Sequence, residues 1–168
     1  DSDRTVGGPM THYRVNPERK WDYENGFYLT CETGRLGKLL NHLEIYRQIV
    51  GLPGDILEFG VYKGTSLVRM LAFRDMLESE NSRRVYGFDV FGKFPDAVNL
   101  ESDQEFIQKF EGAGGWGIER DELARLLDQK GCRNYELVGG DILATLPAFL
   151  AAKPHLRASL IHIDVDVY

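Results

Sequence analysis

Acidic residues recur where the short apolar runs of this sequence end. Glu58 lies in Ile56-Leu57-Glu58-Phe59, two residues before Gly60. Asp89 closes the run that begins at Arg84, Asp141 follows Gly139-Gly140, and Asp164 and Asp166 end the run that begins at Ser159. A carboxylate at the end of a strand can accept two hydrogen bonds from a ribose diol. It can also face a cationic ammonium or sulfonium group, or simply cap a turn in contact with solvent.

The spacing around Glu58 and Asp89 narrows the choice. Gly60-Val61-Tyr62-Lys63-Gly64 is a glycine-bearing loop, and glycine lets backbone approach a ligand closely. Such glycines are equally often required by sterics alone. Asp89 lies 25 residues beyond Gly64, the placement of an acid that reads a ribose. The loop is Gly-x-x-x-Gly and lacks the Gly-x-Gly-x-x-Gly spacing that packs a pyrophosphate against a helix. Lys63-Gly64-Thr65 has the wrong order for a phosphate loop. A negative Glu58 suits a cationic amino group or sulfonium better than a pyrophosphate. These features favour S-adenosylmethionine over a dinucleotide.

The elements that must position these residues follow from periodicity. Leu36, Leu39, Leu40, Leu43, Tyr46 and Val50 recur at helical steps and predict a helix over 35–50. Leu52-Pro53-Gly54-Asp55 then turns the chain. Strands are expected at 56–59, 84–90, 135–138 and 159–165. Helices are expected from Thr65 or Ser66, with Leu67, Met70, Leu71 and Leu77 inward, over 119–130, and over 143–152, where Pro147 kinks it or starts its second part. Residues 92–117 read as an insertion over a site, with a short helix near 104–110. Residues 1–30 alternate polar and aromatic types without a dominant period and read as an arm that packs on something. Strand and helix alternate, which predicts an α/β fold: a Rossmann-like, mostly parallel sheet with helices on both faces. Residues 1–50 are expected to be an arm and helical lid, and 51–168 the cofactor-binding domain. In such sheets ligands bind at the carboxyl ends of the strands, where the acids stand.

Composition sets the outer bounds. The chain has 168 residues, 43% hydrophobic and 27% charged, with a net charge of -6. That is ordinary for one globular domain. An acidic chain without a basic run argues against binding nucleic acid by charge. No apolar run approaches the roughly 20 residues of a membrane span, and Asp1–Met10 shows no secretory signal. Cys31 and Cys132 lack metal spacing and are expected as free buried thiols in a reducing, cytoplasmic setting.

Four segments resemble the macrocin O-methyltransferase family, and within it the nucleotide-deoxyhexose 3-O-methyltransferases. They are Pro53 to Gly64; Gly87-Phe88-Asp89-Val90-Phe91-Gly92-Lys93-Phe94-Pro95; Gly140-Asp141-Ile142 with Thr145-Leu146-Pro147; and His162-Ile163-Asp164-Val165-Asp166-Val167-Tyr168. The likeness runs from about Gly34 to the last residue. It implies magnesium-dependent transfer of a methyl group from S-adenosylmethionine to a sugar hydroxyl, with a sugar or sugar nucleotide as the acceptor and a homo-oligomeric assembly. By this resemblance Glu58, Gly60, Tyr62, Gly64, Thr65 and Ser66 hold the methionine part and Asp89 the ribose, with Phe91 beside it. Asp141 and Ile142 flank the adenine, Asp164 binds the metal, and Asp166 is the general base. Magnesium favours carboxylate oxygens and keeps positions open for substrate oxygens. A metal-bound hydroxyl loses its proton more readily to a nearby carboxylate.

The family continues beyond the fourth strand with further strands and an acidic pair that completes the metal site. The chain stops at Tyr168 and is therefore expected to be part of a longer fold, with weakened metal binding if it stands alone. His42 is expected to pack or to face solvent. His162 shares the face of Asp164 and is read as a hydrogen-bonded sheet histidine or a neighbour of the metal. Trp116 and the 1–30 arm either cover the ligands or pack in the core. Two rival functions are a non-catalytic cofactor-binding scaffold and an enzyme acting on a non-sugar molecule, either a methyltransferase or a hydroxylase.

Overall fold

The protein is described by a computed structural model that covers residues 15–94, 104, 105, 107–109, 112 and 115–165. A 3-10 turn, Pro17–Arg19, leads into α1 (Lys20–Thr30) and α2 (Thr33–Ile49). The rest alternates: β1 (Asp55–Phe59), α3 (Thr65–Leu77), β2 (Val85–Asp89), α4 (Arg120–Lys130), β3 (Tyr135–Gly139), α5 (Ile142–Ala152) and β4 (Ala158–Ile163). Gln104, Glu105, Ile107–Lys109 and Gly112 are also helical, within the expected insertion.

The four described strands are parallel and lie in the order β3-β2-β1-β4. From β1 the chain steps outward through β2 to β3, then returns to the opposite side of β1 as β4. This reversal places a topological switch point at the carboxyl ends of β1 and β4, where sheets of this kind open a ligand crevice. The two outward steps and the return also put helices on opposite faces. Ile56, Val85 and Leu160 pack with Leu67, Met70 and Leu71 of α3, Tyr46 of α2, and Leu123 and Leu127 of α4. On the other face Leu57, Phe59, Tyr86 and Phe88 pack on Phe149 of α5. β1 and β2 thus bury both faces, which is why they read as continuous apolar runs, whereas β4 leaves Ile161 and Ile163 exposed.

Two buried arginines secure the amino-terminal side of the sheet. Arg74 donates to the carbonyls of Arg83, Arg133 and Asn134 at 2.9–3.2 Å. Arg83 pairs with Glu78 and donates to the carbonyls of Ile49 and Gly54 and to Ser159 Oγ. These carbonyls lie in the turns that lead into the strands, and the guanidinium forks give them charged donors.

Several expectations shift. Residues 20–30 are a helix, not an irregular arm; α1 has no buried residue, and Trp21, Tyr28 and Leu29 are exposed. Without an apolar stripe no helical period was visible. In α2 the buried face is His42, Tyr46 and Ile49, whereas Leu40 and Val50 are exposed. Leu40 falls off that stripe, and Val50 lies past the last turn. Leu77, expected inward, ends α3 beyond the sheet and is exposed. Pro147 lies inside one continuous helix rather than dividing two. Cys132 is buried and Cys31 partly so, both as free thiols.

Candidate functional site

The loop after β1 is built from backbone constraints that its sequence anticipates. Gly60 has φ 90°, and a Cβ there would collide with the carbonyl of Asp164. The ends of β1 and β4 are therefore pressed together, with Asp164 N donating to Phe59 O at 2.8 Å. Gly64 caps α3 with φ 81°, and a Cβ would come within 2.9 Å of Leu123 Cδ1. At these two glycines close packing within the protein is the visible constraint.

Asp89 organises the loop. Its Oδ2 accepts from the N–H groups of Val61 at 2.6 Å and Tyr62 at 2.9 Å, and its Oδ1 from Phe91 N–H at 2.7 Å. Tyr62 and Phe91 have φ of 51° and 57°, in the left-handed region that non-glycine residues seldom adopt. The carboxylate holds both in place. A strip from the insertion joins them: Ile118 N donates to Tyr62 O, Gly92 N to Ile118 O, and Gly117 N to Gly92 O, all at 2.9–3.0 Å. Tyr62 Oη reaches Gly115 O at 3.2 Å. Asp89 O also accepts from Gly140 N at 3.0 Å, which brings in the loop after β3. There Asp141 is exposed and caps α5, its Oδ1 accepting from Leu143 N at 2.8 Å, and Ile142 begins the helix half-buried.

On the α2–α3 side of the switch point stands a second set of polar groups. Strand register pairs Glu58 with His162. Glu58 is fully buried; Ser66 Oγ donates to its Oε1, and His162 Nδ1 lies 3.7 Å from the same oxygen. Glu58 raises the proton affinity of His162 above the ordinary histidine value, and Asp164 adds to it. At 3.7 Å the contact is longer than a hydrogen bond, so charge attraction is the physical cause. His42 of α2 packs edge-on to His162 with ring centroids 5.2 Å apart. Burial lowers its pKa to about 4, and the charges of His162, Arg69 and Lys38 push the same way. Lys38, one turn before His42, forms an ion pair with Asp164, Nζ to Oδ2 3.1 Å.

Glu58 Oε2, His42 Nδ1 and His162 Nδ1 are buried without a hydrogen-bond partner among the described residues. Buried polar atoms of this kind ask for a ligand or ordered water. An acceptor oxygen of a buried carboxylate fits the ammonium of an amino-acid-bearing cofactor. Asp89 retains lone pairs for a ribose, because each oxygen has about two acceptor sites. The fit to magnesium is different. No group of three or more His, Cys, Asp or Glu side chains is placed to hold a metal among the described residues, and Asp164 already faces an ammonium.

The expected cofactor residues Glu58, Gly60, Tyr62, Gly64, Thr65, Ser66, Asp89 and Phe91 thus form one continuous region, with Asp141 and Ile142 beside it. Asp164 stands on the far side of Gly60, and Asp166 lies outside the described residues. Sequence reasoning missed Lys38, His42 as a buried partner of His162, and Arg69. The four-residue step from Lys38 to His42 marked a shared helix face, but no one-dimensional signal said that this face covers β4.

The strand order, the loop held by Asp89 and the acid-lined switch point define an α/β domain of the methyltransferase type. The profile of the macrocin-O-methyltransferase (TylF) family matches residues 27–165, and the chain belongs to that family. Among solved structures, CalS11, a calicheamicin methyltransferase, is 25% identical with a TM-score of 0.63, covering 99% of this chain and 75% of that one. A second structure, apo CalS11, described as a TDP-rhamnose 3'-O-methyltransferase of calicheamicin biosynthesis, is 27% identical with a TM-score of 0.58. There the alignment covers 91% of this chain and 62% of the other. The O-methyltransferase NovP, 20% identical with a TM-score of 0.61 over 76% of this chain and 52% of its own, shares the fold. A search of curated proteins gives no match. Among the described residues no helix is long and apolar enough to cross a membrane.

Proposed function

We propose that the chain is the cofactor-binding part of an S-adenosylmethionine-dependent O-methyltransferase that acts on a hydroxyl of a nucleotide-linked 6-deoxyhexose, at the 3 position. The observation that carries this reading is the convergence of Asp89, the Gly60–Gly64 loop and the partnerless Glu58 Oε2 at one end of the sheet, in a chain of this family. S-adenosylmethionine supplies an electrophilic methyl group on a sulfonium centre. Glu58 accepts from the cofactor ammonium through Oε2 while Ser66 fixes its other oxygen. Asp89 holds the loop with three backbone bonds and offers its remaining lone pairs to the ribose. Thr65 and Ser66 open α3 toward the methionine end, and Asp141 and Ile142 border the adenine. Asp166 takes the proton of the acceptor hydroxyl. The acceptor is taken from the likeness to CalS11, and the protein works in the cytoplasm as a homo-oligomer.

By the family resemblance Asp164 would hold a magnesium ion, which would ease deprotonation of the acceptor hydroxyl. Its test is direct. Methyl transfer from labelled S-adenosylmethionine to a panel of nucleotide-linked deoxyhexoses is followed with magnesium and with excess chelator. Transfer abolished by chelation supports a metal ligated by Asp164. Transfer that survives chelation removes the metal from the mechanism. No labelled product with any sugar nucleotide, together with no binding of S-adenosylhomocysteine, overturns the whole reading.

A further inference from the structure

The acidic composition conceals a local excess of positive charge at the mouth of the crevice. Arg35, Lys38 and His42 follow one another at three- and four-residue steps, so they share a face of α2. That helix packs along α3 and touches β4. Arg69 lies in the second turn of α3, the helix on which α2 packs, and the charges of Arg35 and Arg69 oppose one another. The acids of the same neighbourhood are already engaged. Asp164 pairs with Lys38, and buried Glu58 takes Ser66 and faces His162. The side chains of Arg35 and Arg69 make no hydrogen bond or ion pair among the described residues.

Two like-charged guanidinium groups left together repel, and Arg69 is partly buried as well. Burial and the charge of Arg35 both disfavour its cationic form. A cluster so arranged gains by taking an anion, and the planar guanidinium fork matches phosphate oxygens in pairs. A second feature points the same way. His42 is only 3% exposed, yet its Nδ1 lacks a partner. A neutral imidazole protonated at that nitrogen has an N–H to offer an anion.

We propose that Arg35 and Arg69, with Lys38 and His42 beside them, form a subsite for the diphosphate of a sugar-nucleotide acceptor. The inference rests on the proposed function and adds where the acceptor is held: above the β1–β4 switch point, on the α2–α3 side. The sugar then reaches past Asp164 toward the cofactor loop. An oxyanion could instead come from the carboxylate of the cofactor itself, and the experiment separates these sources.

Binding of thymidine diphosphate, thymidine and S-adenosylhomocysteine to the chain is measured by titration calorimetry. The wild type is compared with Arg35→Gln/Arg69→Gln, and thermal melting checks that the variant remains folded. Expected is diphosphate binding at least about tenfold tighter than thymidine, and a fall of at least about tenfold in the double variant. S-adenosylhomocysteine binding stays unchanged. Unaltered diphosphate binding in the folded variant overturns the proposal, as does a selective loss of S-adenosylhomocysteine binding, which would assign the arginines to the cofactor carboxylate. Should the wild type bind S-adenosylhomocysteine and no diphosphate, this subsite falls while the cofactor reading stands. Should it bind neither, the proposed function falls with it. If the double variant does not fold, Arg69→Lys alone decides: it keeps the charge but loses the paired fork, so weakened diphosphate binding supports the subsite and wild-type binding overturns it.

Discussion

Lys38 on α2 and Asp164 beyond β4, 126 residues apart in sequence, meet with Nζ 3.1 Å from Oδ2. The contact ties the helix that covers the crevice to the strand end that borders it. Both side chains are nearly half exposed, so solvent screens the pair and its contribution to stability is at most about 1 kcal/mol. Lys38→Met is expected to change the urea midpoint only slightly. Its larger effect falls on Asp164, which is then free of its cation. If Asp164 is a metal ligand, Lys38→Met tightens magnesium binding measured by calorimetry; an unchanged null titration in both proteins speaks against that role.

Gly60→Ala tests the close approach of β1 and β4. The new methyl meets the Asp164 carbonyl in a backbone conformation with φ 90°. Strain and displacement together are expected to cost about 2–4 kcal/mol, read as a shifted denaturation midpoint. A midpoint within error of wild type would show that the two strand ends are not packed this way.

Asp89→Asn keeps the shape of the side chain but replaces one acceptor oxygen by a donor facing backbone N–H groups. The three bonds from Val61, Tyr62 and Phe91 cannot all survive. A loss of about 1–3 kcal/mol in stability is expected, together with loss of S-adenosylhomocysteine binding. Asp89→Ala should match it in binding. If Asp89→Asn binds the ligand as wild type does, the carboxylate is neither loop anchor nor ribose ligand.

The pH dependence has two separate limbs. His42 has a folded pKa of about 4, below its unfolded value of about 6.5. Between these values the unfolded chain binds the extra proton, so stability rises with pH from about 4 to 6.5. His162 has a raised folded pKa, so its contribution is present below about 6.5 and is lost as pH rises through the folded value. Since carboxylates also titrate at the acid end, the cleanest window is about pH 5–6.5. His42→Gln should flatten the rise of stability there, measured by urea unfolding at several pH values. An unchanged slope would mean that His42 is not buried in its neutral form.

Arg83→Met removes a nearly buried guanidinium and leaves Glu78 at 11% side-chain exposure without its cation. A loss of about 3–5 kcal/mol is expected. Pairing with Arg83 lowers the Glu78 pKa, so that contribution is present above the unfolded carboxylate pKa and is lost as pH falls through the folded one. The variant should accordingly lose its extra instability in acid; an equal deficit at pH 7 and at pH 3 would contradict the pairing.

The sequence alone determined the strands, their parallel arrangement and the loop between β1 and α3. Apolar runs such as Ile56–Phe59, glycines at Gly60 and Gly64, and Asp89 at the next strand end are local signals, imposed by steric and hydrogen-bond rules that act over a few residues. The helical nature of 20–30 was not legible, because α1 exposes its large side chains and has no apolar stripe. Tertiary structure alone decided that Asp89 binds the loop backbone, that His42 lies against His162, and that Lys38 reaches Asp164. Helical spacing names the residues that share a face of α2. Which strand that face covers depends on packing across the whole sheet, and there Tyr46 and Ile49, buried in the same core as Leu67 and Ile56, set the position of the helix.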